Sequence, residues 1–412
     1  MKKTEKIFGA IPKNKYICNV KKNGNMLTLS TLHRKGMRTA KLLMAALLLS
    51  SHLQAGNRDF SLGLGWNLGN QMDAHVNGVA NETSWGNRMA TQQTFDSLRA
   101  YGFTSVRIPV TWLGHIGPAP EYKINEAWLN RVAQLVDYAE NAGLKAIINI
   151  HHDGANSQHW LDIKGAAKDE SVNRRVKAQL HALWTQIAER FKKKGHFLVF
   201  EAVNEVHDGG WGHGGNLTDG GRQHEVANEW NQVFVDAVRA TGGKNRKRYL
   251  GVPGYCTNID LTLKHFRFPA DKAKNRLLVS VHYYNPVEFT LENRTDEWGY
   301  QSPKNQGQHT DEQQVDSIFH LLKTTYVDKG IPVYIGEFGC TRRADASKEH
   351  YREHYLRHVC QCAARNGLSL IYWDNGSRGA GCECSGIIDH ATGAPIGRGG
   401  EIVNLMLEAY GR

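Results

Sequence analysis

Eight short apolar runs, each followed by a longer amphipathic stretch, constrain this chain more than any other feature. The runs are "SLGLGWNLG", "TSVRIPV", "LKAIINIHH", "FLVFEAVNE", "RYLGVPG", "RLLVSVHYY", "IPVYIGEFG" and "LSLIYWDNG", all after about residue 60. Each has the length of a strand, and the segments between most of them repeat apolar residues at helical spacing. One such segment is "NEAWLNRVAQLVDYAENAG", where Trp128, Val132, Leu135 and Val136 share a face and Gly143 supplies the stop. Further helices are expected over 172–191, 225–241, 312–327 and 349–366. Eight strands joined by helical crossovers fit an α/β fold of one kind, a single-domain (β/α)8 TIM barrel. A doubly wound sheet asks for a Gly-rich first turn that enters a helix. "GLGWNLG" sets its third glycine, Gly69, one position late for that turn.

The net charge of +11 over 412 residues invites a nucleic-acid partner, but its distribution removes that reading. Residues 1–55 hold eleven Lys/Arg against one acid, Glu5, a net of +10, which leaves +1 for the rest of the chain. Inside this leader, "MRTAKLLMAALLLSSHLQAG" has Arg38 and Lys41, an apolar run from Leu42 to Leu49 and a small residue at Ala55. That is the order of a secretory signal, with an apolar run too short to span a membrane. The expected organisation is an upstream extension over 1–36, from an early start codon ahead of Met37. A signal peptide follows over 37–55, and one folded domain over 56–412. The chain is expected in the periplasm or the medium of a bacterium, and as a monomer; no cysteine sits just after the apolar run to offer a lipid anchor. Six cysteines follow residue 55, and in an exported chain they are expected as one or two disulfides or as core thiols. The one-residue gap of the two C-x-C pairs is awkward for structural zinc.

In a barrel, chemistry gathers where strands end. Those ends carry Asn70, Arg107, His151 with His152, Asn204 with Glu205, His282 with Tyr284, Glu337 and Trp373. Polar and aromatic residues at nearly every strand end are not what core packing asks for. Glu205 ends the fourth strand and Glu337 the seventh, on opposite sides of the barrel axis. A carboxylate pair facing one substrate from two directions is the requirement for hydrolysing a glycosidic bond. Arg107 and Tyr284 are placed to reach Glu337 and favour its ionised form, as a nucleophile needs. Glu205 is expected beside Asn204 and His282, with a pKa high enough to carry a proton. Asn204 can donate to a sugar 2-hydroxyl.

With these motifs in order, the chain resembles glycoside hydrolase family five over about residues 60–410. The resemblance rests on "GWNLGN", "ETSWGN", "VRIPVTW", "IINIHHD", "FEAVNEV", "VSVHYYNP", "YIGEFG" and "IYWDNG". It implies a secreted retaining endo-β-1,4-glucanase of cellulase type, with Glu205 as acid/base and Glu337 as nucleophile. Arg107, His151, Asn204, His282, Tyr284 and Trp373 complete the active centre it implies, and Asn70 and His152 are added as substrate contacts. The partner is a β-glucan polysaccharide or oligosaccharide, and neither cofactor nor metal is called for. One departure is Val206, where the family usually has the proline of Asn-Glu-Pro.

Other readings compete. A xyloglucanase, a mixed-linkage β-glucanase or a β-mannanase would use the same chemistry, since outer loops decide among them. A non-catalytic glycan-binding barrel would require loss of a carboxylate, and both are present. A zinc hydrolase would need a ligand set, and His151 and His152 point to opposite faces unless the strand has ended before them. Trp373 is expected as a platform for the apolar face of a pyranose. Trp85, Trp112, Trp160, Trp211 and Trp298 are divided between sugar contact and packing. His207 and His213 with "GGWGHGGN" read as a flexible loop.

Overall fold

The computed structural model describes residues 60–212 and 221–411. The extension and signal expected over 1–55, and His213, lie outside the described residues. In chain order the strands are β1 (Leu64–Leu68), β2 (His75–Val76), β3 (Val79–Ala80), β4 (Ser105–Ile108), β5 (Lys145–Ile148), β6 (Leu198–Glu201), β7 (Leu250–Pro253), β8 (Leu277–Tyr283), β9 (Val333–Phe338) and β10 (Ser369–Asp374). β2 and β3 make a small antiparallel hairpin, and the other eight close into a barrel in the order β1-β10-β9-β8-β7-β6-β5-β4. Each expected apolar run supplies one barrel strand.

The crossovers form because their apolar residues line one face. In Glu126–Asn141, Trp128, Val132, Leu135 and Val136 are buried, Asn125 caps the start through the Trp128 N–H, and Gly143 beyond the end adopts φ 70°. The helices expected over 172–191, 225–241, 312–327 and 349–366 run over Glu170–Arg190, Arg222–Ala240, Thr310–Thr325 and Glu349–Asn366. Trp184, fully buried, packs on Phe200 at 5.4 Å between ring centres. Burying a large apolar side chain of this kind contributes about 1.5–3 kcal/mol.

Inside the barrel, alternation sorts the layers. Leu62, Ile147, Val199, Tyr249, Leu278, Tyr334 and Ile371 form an apolar cluster separate from the outer core, and Phe60 stacks on Tyr249 against it. Two residues beyond Ile147, Val199 and Leu278 come Asn149, Glu201 and Ser280, all buried. A dry apolar floor thus carries a polar layer on the side of the strand ends.

The six cysteines among the described residues are free: Cys256, Cys340, Cys360 and Cys362 are core thiols, Cys384 is half-buried and Cys382 exposed. Trp112 and Trp298 belong to the core, Trp160 is half-buried, and Trp85 and Trp211 are exposed. Among the described residues no helix is long and apolar enough to cross a membrane.

Candidate active site

Glu205 lies four residues past the end of β6, on a segment fixed by its backbone. Trp184 Nε1 donates to the Ala202 carbonyl at 3.0 Å, and the Asn204 N–H donates to the Ile150 carbonyl at 2.8 Å. The Val206 N–H, a donor that proline would lack, closes back on the Asn204 carbonyl at 3.0 Å. Val206 therefore shapes the turn after the acid by a hydrogen bond where proline would shape it by its ring.

Glu337 owes its direction to a bulge. Along β9 the partners in β8 are Val281 for Ile335 and then His282 for Glu337, so Gly336 is passed over. The other neighbour, β10, shows the same extra residue between Leu370 and Tyr372. Tyr334 faces the interior, so strict alternation would turn Glu337 outward; the extra residue returns it to the mouth. Asn67 Nδ2 donates to the displaced Gly336 carbonyl at 2.9 Å. A Cβ at Gly336 would lie 3.1 Å from His282 Nε2, so glycine leaves room for that ring.

Between the two acids, Arg107 uses all five of its N–H groups. Nη1 donates to Glu337 Oε1 at 2.7 Å and to Asn67 Oδ1 at 3.0 Å. Nη2 donates to Asn204 Oδ1 and to Glu201 Oε1, both at 2.7 Å, and Nε spans the two oxygens of Glu201. Tyr284 OH donates to Glu337 Oε2 at 3.1 Å, and His282 Nδ1 lies 2.6 Å from Glu205 Oε1. One carboxylate oxygen of Glu205, one of Glu337 and a ring nitrogen of His282 all lie within 4.8 Å of one another.

Asn67 and Glu201 were missed by reading strand ends alone, because each sits within a strand that otherwise reads as apolar. The signal was present: a fully buried Asn or Glu inside such a run requires a partner. Asn70, by contrast, lies in the turn after β1 with φ 53°, where its N–H donates to Asp73 Oδ2 at 3.0 Å. Its carbonyl and that of Asn375 both accept from Asn87 Nδ2 at 3.0 Å, which ties "ETSWGN" to "IYWDNG".

The charges at rest are ordered differently from the expectation. Burial pushes Glu205 up, but the His282 imidazolium beside it outweighs burial and holds the carboxyl below its ordinary range. At Glu337 burial prevails over His282 and Arg107, the Glu205 charge adds to it, and the carboxyl is raised. His282 is raised in turn: burial opposes its charge, but Glu337 and Glu205 more than restore it. Arg107 gives the bidentate side of its fork to Glu201 and a single N–H to Glu337. Glu205 and His282 thus form one hydrogen-bonded pair, with Nδ1 2.6 Å from Oε1.

His151 and His152 lie beyond the end of β5, so strand alternation does not separate them; their rings stand 4.4 Å apart at 82°. Asp73, His151 and His152 each bring one potential ligand atom within 4.8 Å of the others. Much of that donor set is engaged: Asp73 accepts the Asn70 and Gln71 N–H groups, His152 Nδ1 meets the Asp73 carbonyl and His151 Nδ1 meets Asn149. Asp153 turns away to Trp112 and Trp160. Burial, His152, Arg107 and His282 hold His151 well below the ordinary histidine range, hence neutral. Trp373 lies parallel to His151, 4° between planes and 5.9 Å between centres. Trp373 is half-buried, and the His151 it stacks on lies 4.0 Å from Glu337 through Nε2.

Residues 70–379 match the family model described as Cellulase (glycosyl hydrolase family 5). Endoglucanase A of Paenibacillus barcinonensis is 39% identical over 345 residues, covering 79% of this chain and 84% of that protein. Among solved structures, a broad specificity endoglucanase from Bacteroides salanitronis superposes with a TM-score of 0.82. It is 59% identical and covers 85% of this chain and 93% of its own. A family 5 xyloglucanase from Paenibacillus pabuli superposes with a TM-score of 0.76 at 38% identity, over 85% of this chain and 98% of its own.

Proposed function

The chain belongs to glycoside hydrolase family 5, and from that premise we propose that it is an endo-β-1,4-glucanase that cleaves internal bonds of a β-glucan with net retention. The observation that carries the mechanism is the separation of Glu205 and Glu337, whose nearest oxygens lie within 4.8 Å. Retaining pairs stand about 5–5.5 Å apart, and inverting pairs leave about 6.5–9.5 Å for a water. With no room for water beneath the anomeric carbon, Glu337 attacks that carbon itself.

As the new C–O bond to Glu337 forms, the bond to the leaving sugar breaks, and the proton held by Glu205 and His282 passes to the leaving oxygen. Glu205, now a carboxylate, takes a proton from an incoming water, whose oxygen attacks the anomeric carbon and frees Glu337. Arg107 and Tyr284 direct their donors at the carboxylate that leaves and returns. Because Arg107 occupies Asn204 Oδ1, the Asn204 Nδ2 amide is turned to donate to a sugar 2-hydroxyl. Trp373 supplies a stacking face for the sugar at the reacting position.

Proton NMR of the first product, read before mutarotation, tests this reading. The β-anomer is expected, and an early α-anomer would overturn it. Parallel reducing-sugar assays on carboxymethylcellulose, barley β-glucan, xyloglucan and glucomannan then fix the breadth of substrate. The relatives, which include a broad specificity endoglucanase and a xyloglucanase, support activity on more than one of these. A polymeric substrate requires export, for which residues 37–55 serve as the signal; a mature N-terminus near residue 56 is the expected result of sequencing the secreted enzyme.

A further inference from the structure

Glu201 has no place in the reaction as written, yet five donors converge on it. It is fully buried and accepts Arg107 through Nε and Nη2, Asn149 Nδ2 at 2.9 Å, Ser280 Oγ at 3.1 Å and Tyr334 OH at 2.5 Å. Four other barrel strands, or the residues just past them, thus send a donor to one side chain. A carboxylate needs a cation to be buried there, but it does not need the same cation that touches the nucleophile. Here the two acids share it: the Nε and Nη2 edge of Arg107 goes to Glu201, and Nη1 alone goes to Glu337.

We propose that Glu201 is a positioning residue for catalysis that sets, through Arg107, the proton affinity of Glu337. The inference rests on Glu337 being the nucleophile. Two consequences follow from the geometry. First, the fork held by Glu201 fixes the guanidinium plane, and with it the direction of Nη1 towards Glu337 and of Nη2 towards Asn204. Second, the Glu201 charge offsets part of the Arg107 field, so Glu337 stays basic enough to attack carbon. The other charged or titratable groups around Glu337 are His282, with Nδ1 3.7 Å from Oε2, His151, with Nε2 4.0 Å from Oε1, Tyr284 and Glu205. Around Glu201 they are Arg107, Tyr334 and His282. Arg107 alone among these bonds to both carboxylates.

The test is the pH profile of kcat/KM on barley β-glucan for three variants. Glu201→Gln removes the charge but keeps the shape, so Arg107 acts undivided on Glu337. The acidic limb should move to lower pH by about half a unit or more, and the plateau should fall about tenfold, as expected of a weaker base. Glu201→Asp keeps the charge and should return the limb to its wild-type position whatever it does to the plateau. Tyr334→Phe, which retains the packing if Glu201→Gln does not fold, removes a donor from Glu201 and concentrates its charge on Arg107; the limb should rise. An unmoved limb in Glu201→Gln or Tyr334→Phe, or one displaced with opposite sign, overturns the proposal. Glu337→Gln in the same assay separates the two levels. If it turns over normally, the nucleophile assignment falls and the role of Glu201 with it. If it is inactive while the other limbs stay fixed, only the role of Glu201 falls.

Discussion

Replacing Arg107 with methionine takes one positive charge from the barrel and leaves two buried carboxylates without it. Nη1 stands 2.7 Å from Glu337 Oε1, which sets the charge centres about 4 Å apart. At an effective dielectric of about 20, such a pair is worth ~4 kcal/mol. At about 1.4 kcal/mol per pH unit this bounds the effect at roughly three units, and the acidic limb of kcat/KM should rise by about one to three. Stability should respond to pH in a second way. In the wild type, Arg107 outweighs burial and holds Glu201 below its ordinary value of 4.5. Glu201 therefore contributes stability that is present above that value and lost as pH falls through its lowered folded-state pKa. In the variant, burial is opposed only by His282 and by neutral donors such as Tyr334. The folded-state pKa should therefore rise above the unfolded one, and stability should be gained as pH falls. The deficit should be about 3–5 kcal/mol near neutral pH, as for a buried pair broken at one partner, and should narrow steadily in acid. Urea unfolding at several values between about pH 7 and 4, with m compared at each, measures it. A deficit that stays constant across that range, or an acidic limb that does not move, would refute the reasoning.

Glu205→Gln and Glu337→Gln should each lower turnover by roughly four orders of magnitude or more. Azide should rescue the first as a β-glycosyl azide and the second as the α-azide; near-normal activity in both would end the assignment. His282→Gln leaves Glu205 to hold its proton alone, so the basic limb of the profile should move to lower pH, and an unmoved limb would show that His282 does not share that proton. Trp373→Ala should lower kcat/KM about tenfold or more through a raised KM, checked by initial rates on cello-oligosaccharides. Chelators should leave the wild type unaffected, since no step above calls on a metal; inactivation that zinc restores would revive a role for Asp73, His151 and His152.

The strands were legible because each apolar run stops at a residue the core has no use for, and the sites at those stops follow from counting strands. Arg107, His282 and Tyr284 lie against the acids that the sequence reading paired them with. Glu201 was harder to read. It sits in the same "FLVFEAVNE" run as Glu205, and only the inward-facing period of β6 shows that it belongs to the interior while Glu205 lies past the strand. Asn67 was obscured by Asn70, because "GWNLGN" offers two asparagines and the chain does not say where β1 ends. The fate of the tryptophans turned on loop packing: Trp112 and Trp298 are core, and Trp85 and Trp211 face solvent. The reversed order of the two acids was out of reach for a further reason. It depends on how deeply each acid is buried and on where His282 stands between them, which is a property of several strands at once.

The bulge at Gly336 makes the catalytic design a matter of parity. Every other barrel strand delivers its inward side chains by even counting, but β9 delivers Tyr334 and Glu337 to the same side from an odd separation. Pleating β9 regularly at its present length would preserve every functional group in the chain and rotate the Glu337 carboxylate from the mouth into the helical layer. Deleting Gly336 would instead make the separation even and leave that carboxylate facing the mouth. The bulge, more than the length of β9, sets the direction of Glu337, and Asn67 holds it there through the Gly336 carbonyl.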